Sequence, residues 1–406
     1  MTAKMTETRH DHFPIFDLES IADERNKNLP PRQVMMNGAP VWLVARYEEV
    51  RECLAHSALS PAPAYAAEHG QESPLSGLFI DTVFGNNPPE HTRLRRMLTK
   101  EFNAARVESL RPRVQEILDG LLDEIAPDGH ADLVTSLSIP LPTLVICDLL
   151  GIPAADRHEF HQWAQAMIAS GFDESAIAAS RVAAQQLWDY IEQLTERKRH
   201  APEGDLISDL VSANAEDRLS QRELVATARV LLVAGYELTS GMLSNAVFAL
   251  LTHPQQQELL RRDPDLVVRS IDELLRYDGP GIFNVRFANE DVRIGPALIR
   301  AGEQVLMDLQ AASRDPALYV DAERLDLTRN ATAHLQFGHG IHYCVGAPLA
   351  RLEGQLVITT LLRRFPDLRL GCPVEQVSRT KNNFLSSLAG LPVQWTPSSQ
   401  PGNAHD

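Results

Sequence analysis

From about residue 220 to 252 apolar residues run almost unbroken around every side of a helical wheel. Ser220-Gln221-Arg222-Glu223 stands in front of them as a capping box. The pattern predicts one helix of roughly 32 residues, about 48 Å long. A helix that is apolar on nearly all sides belongs in the middle of a molecule. Further helices are predicted at Tyr47 to Ala55, Pro88 to Phe102, Arg106 to Ile125, most of 133–150, 155–200 with a break near Ser170-Gly171, 265–277 and 347–364. Val41 to Val44, 283–293, 297–299 and 303–308 read as short strands, with closing strands near 367–370 and 392–396. Residues 56–87 are rich in Pro, Ala, Ser and Gly and show little periodicity. They read as a long loop, and loops of that length inside compact domains are often functional. The fold class is mainly α with a small, separate β portion.

At 406 residues and 44% hydrophobic, the chain can bury a large core, and no linker, repeat or low-complexity run divides it. One large domain is expected, with 1–35 as an N-terminal extension and 396–406 as a flexible tail. Cys53, Cys147, Cys344 and Cys372 are widely spaced and include no CxxC pair, which suits a reducing compartment. Met1 to Pro31 is studded with charge, and the most apolar inner stretch, Leu137 to Ile152, is broken by Pro140, Pro142 and Asp148. A soluble, cytoplasmic protein with no membrane association is therefore expected. The net charge of −16 argues against nucleic acid as a partner. One segment runs against that charge: Arg93, Arg95, Arg96, Lys100, Arg106, Arg111 and Arg113 share 91–113 with only Glu101 and Glu108. Such a cluster is either a solvated face or a docking patch for an acidic electron carrier.

The chemistry is concentrated in Phe337-Gly338-His339-Gly340-Ile341-His342-Tyr343-Cys344-Val345-Gly346. A single cysteine sits in a glycine-spaced turn that leads into a helix, with Pro348 in the helix's first turn. Unpaired N–H groups at a helix start favour thiolate, the form that binds iron, and a thiolate on haem favours O–O cleavage. The plain alternative is a small buried cysteine in a glycine-rich loop.

This segment closely resembles the haem-binding loop of cytochrome P450 enzymes, Phe-Gly-x-Gly-x-His-x-Cys-x-Gly, and every fixed position is present. The resemblance runs from about Pro40 to Trp395. It implies haem b (iron protoporphyrin IX) with Cys344 as the axial iron ligand and Gly346 as the motif's last glycine. It further implies Phe337 packed beside the sulfur and His342 donating to a propionate. His91 and Arg95 match a His-x-x-x-Arg pattern that reaches the propionates in relatives, and Arg286 is a third candidate. Glu273 and Arg276 match the family's Glu-x-x-Arg, with Arg324 as the candidate third member of that structural triad. Having no N-terminal anchor, the chain resembles the bacterial type.

Ala234-Gly235-Tyr236-Glu237-Leu238-Thr239 resembles the family's oxygen-activating Ala-Gly-x-(Asp/Glu)-Thr. Ala234 and Gly235 would let the helix pass close over the haem, and Glu237 matches the acid. Leu238 occupies the alcohol position. Thr239, one residue on, is turned about 100° around the axis and should point elsewhere unless the helix bulges. Either ordered water compensates or the enzyme does something other than hydroxylation. The resemblance implies a monomeric, O2-dependent monooxygenase acting on a small hydrophobic natural product, with electrons from ferredoxin and ferredoxin reductase. Oxidative coupling of aromatic or diketopiperazine-like substrates, with nitration as a remoter variant, is the alternative. A haem-binding sensor is a third reading. The pocket is expected to draw on the 56–87 loop, 160–180, the Tyr236 region, Gly281 to Val285 and Phe384 to Leu388. In its wall, Asn284 could orient a substrate carbonyl or merely bond the backbone.

Overall fold

A computed structural model describes residues 28–36, 39–61, 64–65, 81–168, 174–212, 219–380 and 385–397. Ser170-Gly171, Phe384, most of the 1–35 extension, much of the 56–87 loop and nearly all of the 396–406 tail lie outside the described residues. The long helix, Gln221–Thr252, is continuous. Ser220 Oγ accepts from Glu223 N, and Glu223 Oε2 accepts from Ser220 N at 2.8 Å, so both members of the capping box are made. Its most apolar window has the composition of a membrane span, yet 78% of that window is buried inside the molecule.

In chain order the helices are α1 (Tyr47–Ala55), α2 (Glu90–Glu101), α3 (Ala104–Ser109), α4 (Arg111–Ile125), α5 (Pro140–Leu150), α6 (Arg157–Ile168) and α7 (Glu174–His200). They continue with α8 (Leu206–Ser212), α9 (Gln221–Thr252), α10 (Pro254–Arg262), α11 (Val267–Asp278), α12 (Leu309–Ser313) and α13 (Ala347–Arg364). The stretch expected as one helix from Arg106 breaks at Leu110 into α3 and α4. The one expected over 133–150 opens with a π-helical turn at Val134–Ser138 before α5. Pro140, lacking an N–H, is tolerated at the restart because the first turn of a helix leaves its donors unpaired anyway. α5, α7, α11 and α13 pack on α9, and α4 packs on α5 and α13; Leu118, Leu122, Leu137, Leu232 and Val357 are fully buried in the apolar cluster these elements share.

The β portion is separate. β1 (Arg32–Met36), β2 (Ala39–Val44), β3 (Leu59–Pro61), β5 (Phe283–Ala288) and β8 (Gln304–Asp308) form a sheet in the order β1-β2-β8-β5-β3. Only the β2–β8 pairing is parallel. β4 (His130–Asp132), β9 (Arg369–Leu370) and β10 (Pro392–Gln394) make a second sheet, and β6 (Val292–Ile294) with β7 (Ala297–Ile299) a third. The 283–293 stretch is thus two strands, and the 56–87 loop contributes the short edge strand β3.

Glu273 and Arg276, three apart on α11, are both fully buried and bidentate, Nε to Oε2 at 2.6 Å and Nη2 to Oε1 at 2.9 Å. The third arginine is not Arg324. Arg329 reaches Glu273 Oε1 at 3.3 Å, whereas Arg324 contributes only its carbonyl oxygen, which accepts from Arg276 Nη2 at 3.0 Å. Two tight turns, Arg324 N to Asp321 O and Arg329 N to Asp326 O, bring the later side chain back onto the helix.

Candidate active site

The cysteine loop is shaped by backbone geometry. Gly338 and Gly340 both have φ of 73°, and a Cβ on Gly340 would lie 2.9 Å from Ala55 Cα, so the turn packs against the end of α1. Cys344 N donates to Phe337 O at 2.9 Å, closing the loop just before α13 begins. Burial pushes the Cys344 thiol up. The N–H groups of Gly346 and Ala347, with the charges of Arg95 and Arg351, act in the opposite direction and favour thiolate.

Cys344 opens into a cavity of about 330 Å³ between α9 and the loop. Phe337, His342, Gly346 and Arg286 line it, as do Ala234, Gly235, Leu238 and Thr239 of α9. The α9 contribution is the stripe Leu231, Ala234, Gly235, Leu238, Thr239 and Met242, three to four residues apart and so on one helical face. Thr239 therefore does not point elsewhere, as its 100° offset implied. α9 carries no bulge at this point, but the stripe is wide enough to include both Leu238 and Thr239. Glu237 and Tyr236 fall outside the stripe. Burial holds the Glu237 carboxyl up at about 7, where it can both keep and release a proton near neutral pH. A Cβ on Gly235 would come within 3.2 Å of Ile146, so this glycine also sets how closely α9 approaches α5.

The wall differs in part from the expectation. Gly281, Phe283 and Asn284 line it, but Val285, alternating to the other face of β5, packs with Val34, Val41 and Leu306. Leu385 lines it; Ser386, Ser387 and Leu388 do not. Among the described residues only Phe84 of the 56–87 loop and none of 160–180 line it, while Phe102, Pro142 and Ile146 take part unforeseen. Asn284 Oδ1 accepts from Arg286 Nη1 at 2.5 Å, which settles the amide orientation and leaves its NH2 as the donor for the cavity.

Two observations test whether haem fits here. Leu238 is 41% exposed in the middle of the central helix, so the cavity leaves a large apolar side chain for a flat apolar group to cover. Around His342 lies a set of basic groups without a carboxylate among the described residues. Its ring packs at a tilt against that of His91, centroids 4.3 Å apart, and the two ring nitrogens of His91 are buried without a well-formed hydrogen bond. Burial, and then the charges of Arg286, His91 and Arg95, push His342 down to about 3. Burial lowers Arg286 to about 10 and depresses Arg95 and His91 as well. His91 and Arg95 stand behind His342 rather than lining the cavity. A buried group of this kind is costly without anions, and the two propionates of haem would supply them.

Glu353 on α13 was not singled out from sequence. It lines the cavity, is 2% exposed and has no partner for Oε2. Its place among Leu349, Ala350 and Val357 on one helical stripe was the available signal. Burial raises its carboxyl from 4.5 to about 8. With the folded value above the unfolded one, stability is fully present below about pH 4.5 and declines as pH rises to about 8. Glu353→Gln therefore gains on the natural chain across that window, by about 5 kcal/mol at most. Urea denaturation at the two ends of the window, with and without haem, measures it; a pH-independent difference refutes the assignment.

The basic cluster of 91–113 is largely neutralised within the chain. Arg93 pairs with Glu223, Arg106 with Glu101 and Asp209, Arg111 with Glu108, and Arg113 with Glu116 and Asp148.

A family model described as Cytochrome P450 matches residues 25–385. The vitamin D(3) 25-hydroxylase of Pseudonocardia autotrophica is 39% identical over 91% of this chain and 92% of its own length. Nocardicin C N-oxygenase of Nocardia uniformis subsp. tsuyamanensis is 41% identical over 88% of this chain and 90% of its own. Among solved structures, CxnD, described as a P450 for C-S bond formation in chuangxinmycin biosynthesis, superposes with a TM-score of 0.85. It is 33% identical and the match covers 96% of this chain and 100% of that one.

Proposed function

The chain belongs to the cytochrome P450 family, an oxidoreductase with haem b as its cofactor, and from that premise we propose that it is a monooxygenase of a small, largely apolar natural product. The observation that carries this reading is one cavity with the Cys344 sulfur on one wall and the Leu238–Thr239 stretch of α9 on the other. Haem, when bound, supplies the one-electron and O2 chemistry. In this reading Cys344 would hold the iron and Arg286 and His342 would face the propionates, with His91 and Arg95 adding to the basic group from behind His342. Phe337 and Gly346 shape the space beside the sulfur, and the small Ala234 and Gly235 would leave room for haem and O2 on the α9 wall. Glu237, held near 7, passes protons inward, and Thr239 supplies the hydroxyl that Leu238 lacks. The free NH2 of Asn284 favours a substrate with a carbonyl or carboxylate oxygen on that side. Electrons come from a ferredoxin and its reductase. Ile341, 52% exposed on the cysteine loop, with the half-exposed Tyr343, offers that carrier an apolar foothold near the sulfur.

Leu238 favours a second reading, oxidative coupling without oxygen insertion, and the likeness to a C–S bond-forming enzyme gives it support. Product mass separates the two: gain of one oxygen supports monooxygenation, and loss of two hydrogens without added oxygen supports coupling. A sensor would bind carbon monoxide after reduction but turn over with no reductase. Leu238→Thr is expected to change the fraction of electrons lost to peroxide severalfold, because it places a second hydroxyl in the cavity. Peroxide titration during NADPH consumption measures this, and unchanged coupling means that position 238 is not beside the oxygen.

A further inference from the structure

We propose that Asp272 is a positioning residue which, by clamping Arg351 over Phe337, sets how strongly the Cys344 sulfur donates electrons to iron; this rests on the haem-thiolate reading above. Asp272 lies on α11 beside Glu273 and is 7% exposed. Its Oδ1 accepts from Arg351 Nε at 2.9 Å and from His334 Nε2 at 3.1 Å, and Arg351 Nη2 lies 2.8 Å from the same oxygen. Gln336 N donates to His334 Nδ1 at 3.1 Å, so the imidazole is the neutral tautomer with its proton on Nε2. Asp272 therefore balances one fixed cation, Arg351.

That cation is held against the loop that carries the sulfur. The Arg351 guanidinium carbon lies 4.5 Å from the Phe337 ring centroid, and the His334 ring packs against the same phenyl at 5.4 Å. Phe337 in turn accepts the Cys344 N–H through its carbonyl. Arg351 also reaches the Tyr343 hydroxyl at 3.3 Å, so without Asp272 it has an outward resting place. Asp272, which does not itself line the cavity, thus controls a charge and a ring next to the ligand. Groups outside the immediate ligand set are known to tune metal centres in this way.

The three contacts all end on Oδ1, so Asp272→Asn with its carbonyl oxygen in that place keeps them and removes only the charge. Loss of the negative charge eases reduction; loss of the cation in Arg351→Gln makes it harder. We expect the ferrous-to-ferric ratio at a fixed solution potential to move severalfold upward in the first variant and severalfold downward in the second. The double variant should lie near the natural protein. Spectroelectrochemical titration of haem-loaded protein reads this directly, without turnover. A merely structural role would move both single variants the same way or neither, and either result overturns the proposal. Arg351 is partly exposed, so its variant decides the sign even if Asp272→Asn does not fold. If the natural protein takes up no haem or lacks the thiolate carbon-monoxide band, the underlying haem reading fails instead.

Discussion

Replacing Cys344 by serine abolishes the reduced carbon-monoxide band at about 450 nm that thiolate ligation produces. Serine fits the space left by the thiol, and the residue faces a cavity, so the fold should change in stability by less than about 1 kcal/mol. The effect is electronic. An alkoxide is far harder to form than a thiolate at the start of α13, where two backbone N–H groups and the charges of Arg95 and Arg351 favour the anion. Absorption spectroscopy of the dithionite-reduced protein under carbon monoxide, with circular dichroism as the control for folding, checks both halves. Retention of the band would mean that another group ligates the iron.

Arg276→Met destabilises the protein by about 3–5 kcal/mol, the usual cost of breaking a buried ion pair from one side. The side chain is fully buried, and it donates to both Glu273 oxygens and to the carbonyls of Ala322 and Arg324. Its guanidinium also stacks 5.2 Å from the Tyr319 ring. After substitution Glu273 keeps only Arg329 and the Asp326 N–H, and the buried Ala322 carbonyl and the partly buried Arg324 carbonyl lose their donor. Urea denaturation of the haem-free protein measures the loss. Glu273→Gln combined with Arg276→Met should cost less than the sum of the two single changes, because both break one network. A loss below about 1 kcal/mol for Arg276→Met would show that the segment before the cysteine loop stands without this clamp.

Local patterns carried much of this into view. The capping box at Ser220 and the all-round apolar character of 221–252 depend only on neighbours in sequence, and α9 follows them. The glycine-spaced cysteine loop is likewise local, since its turns need positive φ at Gly338 and Gly340 whatever surrounds them. Partners distant in the chain were another matter. The basic residues of 91–113 looked free because Asp148, Asp209 and Glu223, which neutralise three of them, lie 35 to 130 positions away. Arg329 displaced Arg324 from Glu273 because turns in the 321–330 segment, which no periodicity describes, choose which side chain returns to α11.

The amino-acid sequence by itself determined the mainly α framework, the position of the sulfur and the departure at Leu238, because each is written in short-range spacing and residue type. Tertiary packing alone decided that Thr239 shares the cavity with Leu238, that Glu353 is left without a partner, and that Asp272 holds Arg351 against Phe337. The physical reason is burial. Whether a side chain meets water, a counter-charge or an empty wall depends on which helices converge on it, and that convergence exists only once the chain has folded.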